Sequence, residues 1–380
     1  TSKIGLASMF ASMMNEDTRN YTAEQMAVEL QKLGSNVSVS SKFDGITFSI
    51  QTLKKNLDQT LALVEERMFN AKFTPEAFGR IQQQRLQGFK QAKADPASVA
   101  DNVFAKLNYG PNSILGMSED GTEYTIANLK LEDVESYYKN YMTSKGVKVV
   151  IVGDVKQAEV LPKLAFLNKL PNKKVELPAV NAKATEIDKS KVYLVDIPKA
   201  AQSQFRVGYA TGLKYDATGD FYKSRLMNYA LGGDFNSRLN LNLREDKGWT
   251  YGARSSFTAD EYTGDFEFSS GIRADATDSA LIEVMRELKN YRDNGITEAE
   301  LKFMKNSLGQ RDALLYETGI QKAGFIGRIL DYNLPANYVD QQNKILANLT
   351  KQQVDAISKK MLNPEKMNIL LVGDKAKIIE

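Results

Sequence analysis

The chain has 380 residues and carries 50 lysine and arginine residues against 47 aspartate and glutamate residues, a net charge of +3. A nucleic-acid binder or a protein held on an anionic membrane usually has a larger basic excess, so this balance disfavours both classes. Cysteine and histidine are absent, which excludes a disulfide, a cysteine nucleophile and a Ser-His-Asp triad, and leaves the chain without the usual zinc ligands.

The first predicted element is a helix over Ile4–Met14. Its apolar residues follow a lysine, as in a signal peptide, but no small-residue cleavage site comes after them, so we predict a helix of the folded protein. Elsewhere no apolar run approaches the roughly 18 residues of a membrane-spanning helix, and we predict no membrane span. A chain without cysteine suits any redox compartment. The compartment is therefore unknown, and we favour a bacterial periplasm or cell envelope over the cytoplasm.

The elements that follow occur twice, about 220 residues apart. The tripeptide Val152-Gly153-Asp154 closes one apolar, strand-like run and returns as Val372-Gly373-Asp374 at the end of another. Further matched pairs lie upstream: alternating strands (Phe43–Gln51 and Tyr262–Ser270), amphipathic helices (57–68 and 281–288), threonine-capped helix starts (Thr74 and Thr297) and later helices (Leu131–Tyr141 and Thr350–Met361). A fixed period of this kind indicates two copies of one folding unit.

Strands cluster between helices in each copy instead of alternating with them, which predicts an α+β fold. We predict two tandem homologous domains, each with a mostly antiparallel sheet packed with helices. Residues 1–170 form the first domain, 171–190 a lysine-rich linker and 191–380 the second domain. The second copy has strand patterns at Lys191–Ile197 and Gln204–Tyr209 whose counterparts would precede Thr1. We therefore expect the first domain to lack its N-terminal strands, through missing sequence or through a real difference between the copies.

Gly5-Leu6-Ala7 begins the N-terminal helix, and this Gly-x-Ala frame resembles the start of the inverted zinc motif, H-x-x-E-H, of the pitrilysin/insulinase zinc metallopeptidases. The resemblance places the two zinc histidines at Ser8 and Ser12 and the catalytic glutamate at Ala11, so the motif is degenerate. It places the third zinc ligand, a glutamate, in the helix that starts near Thr74, but residues 77–94 contain no acidic residue. The chain is therefore predicted to hold no metal and, alone, to cleave no peptide.

The second copy carries a more specific pattern: Leu231-Gly232-Gly233-Asp234-Phe235-Asn236-Ser237-Arg238-Leu239, then Leu243-Arg244-Glu245, then Gly248-Trp249-Thr250-Tyr251. It resembles the C-terminal signature of the same family, and the resemblance extends over the whole chain, to the half that does not hold zinc. It implies that Arg244 and Tyr251 hold the substrate carbonyl and the developing oxyanion at a neighbouring domain's zinc site. Without the signature, we would interpret Arg244 as a member of a surface ion pair and Tyr251 as a partly buried phenol.

The resemblance implies a non-catalytic half or subunit of a zinc metallopeptidase. A zinc-bearing half or subunit of insulinase-like fold would be its partner, and an extended peptide would be the substrate. The alternative is a purely structural scaffold or peptide-binding protein of the same fold, like core subunits of larger complexes. Arg244 and Tyr251 favour the first hypothesis, because a pure scaffold has no need of oxyanion donors.

Overall fold

The computed structural model describes residues 2–176, 179–311 and 316–378, without the side chain of residue 311. The chain divides into two compact units. The first consists of Thr1–Gln91 and Met117–Ala179, and the second of Ala92–Gly116 and Val180–Glu380. The segment Ala92–Gly116 therefore packs within the second unit, although its place in the chain is in the first copy of the repeat.

The elements of the first copy are α1 (Leu6–Met13), α2 (Ala23–Lys32), β1 (Asn36–Lys42), β2 (Gly45–Gln51), α3 (Leu57–Phe69), α4 (Pro75–Ala92), α5 (Pro96–Tyr109), α6 (Glu123–Asn128), α7 (Leu131–Tyr141) and α8 (Gln157–Val160), with 3₁₀ turns at Lys54–Asn56, Ile114–Gly116 and Leu161–Lys169. Those of the second copy are β3 (Lys191–Asp196), β4 (Gln202–Ala210), α9 (Asp220–Asn228), α10 (Arg238–Asn240), β5 (Thr250–Ala259), β6 (Gly264–Arg273), α11 (Thr277–Asn294), α12 (Glu298–Arg311), α13 (Gly319–Tyr332), α14 (Tyr338–Asn348), α15 (Lys351–Met361), β7 (Asn368–Gly373) and α16 (Lys375–Ile378), with π-helical turns at Tyr229–Gly233 and Leu241–Asp246 and a 3₁₀ turn at Ala274–Ala276. Within the described residues, none of these helices combines the length and apolarity needed to cross a membrane.

The order of elements in the first copy returns in the second. The antiparallel hairpin β1–β2 corresponds to β5–β6, and helices α3, α4, α5 and α7 correspond to α11, α12, α13 and α15. The prediction of an α+β fold built from two homologous copies is therefore confirmed.

The predicted strand Val147–Val152 is the exception, because this segment is irregular. Its counterpart β7 lies between β3 and β4 and pairs with both, whereas no strand of the described ranges pairs with residues 147–152. Val147, Val149 and Ile151 are 47%, 47% and 44% exposed. A strand is held by ladder hydrogen bonds to a neighbour. The prediction of a strand here was wrong because an apolar run does not by itself supply that neighbour.

Helix α1 lies in the hydrophobic core of the first unit. Gly5, just before it, has a φ of 95°, and a Cβ at this position would lie 2.7 Å from the carbonyl oxygen of Asp120. Only glycine fits there. Beyond it, Met9, Phe10 and Met13 are fully buried and pack with side chains from β1, α4, α6 and α7. This packing fixes the rotation of α1 about its axis, and with it the positions of the motif residues.

The second unit is built on a five-stranded sheet in the order β3-β7-β4-β6-β5. Strands β3 and β7 are parallel, and the other neighbours are antiparallel. The main core lies on one face, where Phe205, Phe266 and Phe268 are fully buried with side chains of α9, α11 and α15. Along β6, buried residues alternate with partly exposed ones. The polar residues Asp265 and Glu267 therefore lie on the opposite face of the sheet.

Helix α5 packs on that opposite face. Its Ala100 and Phe104 are buried against apolar residues of β7. At the end of the helix, the Tyr109 hydroxyl donates a hydrogen bond of 2.7 Å to Asp265 of β6. The helix is thus joined to the sheet by an apolar contact in its middle and by a polar one at its C-terminus.

Candidate functional site

The degenerate motif lies on α1 in the first unit, and its three positions have structural roles. Ala11 is buried in the hydrophobic core. The Ser8 hydroxyl donates to Asp120 Oδ1 at 2.6 Å, and the Ser12 hydroxyl donates to the Ser8 carbonyl oxygen at 3.1 Å. The structure brings the three predicted positions together on adjacent turns but gives them only hydroxyl and methyl groups.

Arg85 of α4 contacts these serines, and the sequence analysis did not single it out. Its Nη2 donates to the Ser8 carbonyl oxygen at 3.0 Å and to Ser12 Oγ at 2.9 Å. Its Nη1 lies 3.4 Å from Asp120 Oδ1. Arg85 falls in residues 77–94, the stretch in which the resemblance places the third zinc ligand. Because the family's ligand in this stretch is a carboxylate, the sequence pattern gives no signal for a basic residue that reaches the motif.

These residues do not fit a zinc ion. Protein zinc sites are built from imidazoles, thiolates and carboxylates. Here Ser8 and Ser12 offer no such group, and Arg85 places a permanent positive charge within hydrogen-bonding distance of both. Across the described parts of the chain, no three acidic side chains are grouped so that they could hold a metal ion. The degenerate motif of the first unit therefore does not fit a zinc ion.

The edge of β1 that faces away from β2 is occupied by side chains of the same unit. The Asn15 side-chain amide donates to the Val39 carbonyl oxygen at 2.8 Å and accepts from the Val39 amide at 3.0 Å. Arg67 Nη1 donates to the Val37 carbonyl oxygen at 2.6 Å. An extended peptide that adds a strand to a sheet needs these backbone groups. At Val37 and Val39 this edge is therefore closed to strand addition.

In the second unit, Arg244 and Tyr251 flank a tight turn. Arg244 lies in the π-helical turn before it, and Tyr251 is the second residue of β5. Between them Gly248 has a φ of 65°, a left-handed conformation that favours glycine. The amides of Gly248 and Trp249 donate to the carbonyl oxygens of Arg244 and Leu243 at 3.1 and 3.0 Å. These bonds hold the turn that joins the two predicted residues.

Both side chains are accessible at the surface of the second unit. Tyr251 is 90% exposed, and among the residues that the structure describes its hydroxyl has no hydrogen-bond partner. The Arg244 guanidinium lies 4.4 Å from the centroid of the Phe235 ring, and its Nε is 3.4 Å from Glu245 Oε1. Phe235 is itself 54% exposed. The ring and the carboxylate orient the arginine without burying it.

A second arginine of the signature anchors the helical segment that leads to Arg244. Arg238 donates to both carboxylate oxygens of Glu300, at 2.6 and 2.7 Å, and lies 4.7 Å from the centroid of the Tyr291 ring. Burial would raise the pKa of Glu300, but hydrogen bonds from Arg238 and Thr297 outweigh burial and lower it. The sequence analysis assigned no role to Arg238 or Phe235. The one feature of the sequence that could have indicated a role is that both residues lie in the signature.

Two family models match parts of the chain. Residues 1–111 match the model described as "Insulinase (Peptidase family M16)", and residues 128–308 match the model described as "Peptidase M16 inactive domain". Both models describe parts of the same peptidase family.

One bacterium, Helicobacter pylori, has two relatives of this chain, one named as a non-peptidase homolog and one as a zinc protease. The "Non-peptidase homolog YmxG" of Helicobacter pylori is 25% identical over 364 residues, which cover 95% of this chain and 81% of the relative. The "Zinc protease PqqE" of the same species is 25% identical over 164 residues, 42% of this chain and 36% of the relative. Among solved structures, the peptidase M16 inactive domain from Pseudomonas fluorescens superposes with a TM-score of 0.89 at 25% identity, covering 98% of this chain and 89% of that one.

Proposed function

Because the chain belongs to the insulinase-like peptidase family M16, we propose that it works as a non-catalytic half or subunit of a zinc metallopeptidase. It helps to enclose a peptide and presents Arg244 and Tyr251 to a zinc site carried by a partner of the same family. One observation carries this proposal: both side chains are accessible at the Gly248 turn, where Tyr251 is 90% exposed and Arg244 rests on Phe235.

The two side chains have complementary chemistry for peptide hydrolysis. Negative charge develops on the carbonyl oxygen in the transition state, and donors aimed at it accelerate the reaction. Arg244 supplies a permanent charge that also attracts the ground-state carbonyl, and Tyr251 supplies a neutral, directional hydroxyl. An aromatic ring stabilises a fold mainly by being buried. The exposure of Tyr251 therefore supports a role outside its own unit.

The proposal requires zinc on a partner, since the residues at the degenerate motif of this chain do not fit the metal. The partner would carry an intact H-x-x-E-H motif. Helicobacter pylori has both a non-peptidase homolog and a zinc protease that are similar to this chain. Their presence in one organism supports a pairing of a zinc-free member with a zinc-bearing one.

A scaffold or peptide-binding protein is the second candidate. The contacts of Arg244 with Glu245 and Phe235 would hold the arginine in place without any substrate. Arg244 alone therefore does not separate the two functions. Tyr251 favours the first function, because none of the residues that the structure describes forms a hydrogen bond with its hydroxyl.

The test is kinetic. The chain is combined with the zinc-bearing M16 protein of the same organism, and hydrolysis of a fluorogenic peptide is followed. Tyr251→Phe should lower kcat about 10²-fold with little change in KM, because its hydroxyl acts mainly in the transition state. Arg244→Ala should lower kcat and also raise KM, because the guanidinium holds the ground-state carbonyl as well.

Two matched variants serve as controls. Tyr124→Phe removes another exposed hydroxyl, on a side chain that is 73% exposed. Arg273→Ala removes an arginine that pairs with nearby Asp275, much as Arg244 pairs with Glu245. Both controls should retain the wild-type rate. If Tyr251→Phe and Arg244→Ala retain it too, the pair is structural and the scaffold function replaces the proposal.

A further inference from the structure

The positively charged side chain of Arg85 contacts the degenerate motif of the first unit. We propose that the guanidinium of Arg85 takes the place of the family's metal ion. It ties α1 to α4 and to the loop at Asp120, and it closes this site to divalent metals. The inference concerns the first unit alone and does not depend on the roles of Arg244 and Tyr251.

The contacts of Arg85 are those of a group that joins several elements at one point. Its Nη2 reaches two oxygens on adjacent turns of α1, the Ser8 carbonyl oxygen at 3.0 Å and Ser12 Oγ at 2.9 Å. Both residues stand at positions where the family motif carries histidine. On the other side, Asp120 Oδ1 accepts from the Ser8 hydroxyl at 2.6 Å and lies 3.4 Å from Nη1.

Both the burial and the charge of Arg85 disfavour the binding of a metal ion at Ser8 and Ser12. The Arg85 side chain is only 17% exposed, whereas Asp120 is 67% exposed. The hydrogen bonds of Arg85 to Ser8 and Ser12 are therefore partly shielded from water and from salt. Guanidinium is always charged and carries its donors in a rigid, planar fork, so two of its nitrogens can bond to different elements at once. A metal ion placed beside it would meet a like charge at short range, which is unfavourable in a partly buried site.

The first experiment rebuilds the motif and then exchanges the arginine for a possible third zinc ligand. The triple variant S8H/A11E/S12H restores the two imidazoles and the glutamate, and adding R85E replaces the guanidinium with a carboxylate. Zinc chloride is titrated into each full chain by calorimetry, and bound zinc is measured by elemental analysis after dialysis. We expect about one equivalent of zinc in the quadruple variant and almost none in the triple variant. Equal zinc content in the two variants, at any level, overturns the proposal.

The second experiment leaves the motif positions unchanged, so it decides the question even where the rebuilt chains fail to fold. Arg85→Met, Arg85→Lys and the control Arg80→Met are compared by urea unfolding. Arg80 lies on the same helix and pairs with Glu16, but its side chain is 50% exposed. Arg85→Met should lower the unfolding midpoint clearly more than Arg80→Met, with Arg85→Lys in between because it keeps the charge but loses the fork. If Arg85→Met and Arg80→Met have the same midpoint, Arg85 does not replace a metal ion and the inference is wrong.

Discussion

A single glycine determines where α1 begins. Gly5 combines a φ of 95° with a close approach to the backbone of Asp120, where a Cβ would lie 2.7 Å from the carbonyl oxygen. Each of these features disfavours a side chain, and together they make one strongly unfavourable. The glycine of the Gly-x-Ala frame therefore has a packing role that does not require zinc, although the metal ligands of the motif are lost.

Gly5→Ala should reduce the free energy of unfolding by about 3 kcal/mol, because it adds a backbone clash to the strain of a left-handed conformation. Gly146→Ala is the matched control in the same unit, since Gly146 has a φ of 82° but nothing within 4 Å of an added Cβ. It should lose only about 1 kcal/mol. Urea unfolding measures both. Equal losses would mean that the close approach to Asp120 contributes nothing.

Phe235 offers a second test at the scale of single residues. It is 54% exposed, and its ring lies 4.4 Å from the Arg244 guanidinium. Phe235→Leu keeps an apolar side chain but removes the cation–π contact, so it should change the free energy of unfolding by less than about 0.5 kcal/mol. In the reconstituted peptidase it should lower kcat/KM about threefold. The loss should vanish when Arg244 is already alanine, and a loss that persists would mean that Phe235 does not act by orienting Arg244.

Among the elements, α5 and the sheet beneath it form a charged contact. Asp101 of α5 lies 2.8 Å from Arg206 Nε of β4, and Glu267 of β6 lies 3.5 Å from the same nitrogen. Burial raises the pKa of Glu267 to about 7, although the charge of Arg206 acts in the opposite direction. A carboxyl group on this face of the sheet therefore titrates near neutral pH.

The stability of the second unit should fall as the pH rises from about 4.5 to about 7. In this range Glu267 is protonated in the folded chain and ionised in the unfolded one, so unfolding releases a proton and a higher pH favours unfolding. Glu267→Gln should reduce this slope, measured as urea midpoints at pH 5 and pH 8. Glu261→Gln, at the exposed tip of the same hairpin, is the control and should keep the wild-type slope. An unchanged slope in Glu267→Gln would contradict the prediction.

Sequence reasoning succeeded where structure depends on near neighbours. Thr74 was predicted to cap a helix, and its hydroxyl accepts from the Ala77 amide at 3.2 Å. It failed where structure depends on distant partners. The pattern of Val147–Val152 is that of a strand, but a strand needs a neighbour that the pattern does not contain. Arg85 was overlooked for the same reason, because its contacts with Ser8 and Ser12 span more than 70 residues.

For the whole molecule, the prediction is that the isolated chain holds no stoichiometric zinc and cleaves no peptide. Two serines and an alanine stand where two metal ligands and a general base are required. Elemental analysis of the dialysed protein and a peptide hydrolysis assay check this. Near-equimolar zinc that a chelator removes together with peptidase activity would contradict it.

The side chains on the edge of β1 also bear on how this protein behaves at high concentration. A bare strand edge is a template on which a second copy can add its own strand, and repeated addition leads to fibrous aggregates. Asn15 satisfies both backbone groups of Val39, and Arg67 satisfies the carbonyl of Val37. By covering these backbone groups with its own side chains, the first unit hinders strand addition at Val37 and Val39.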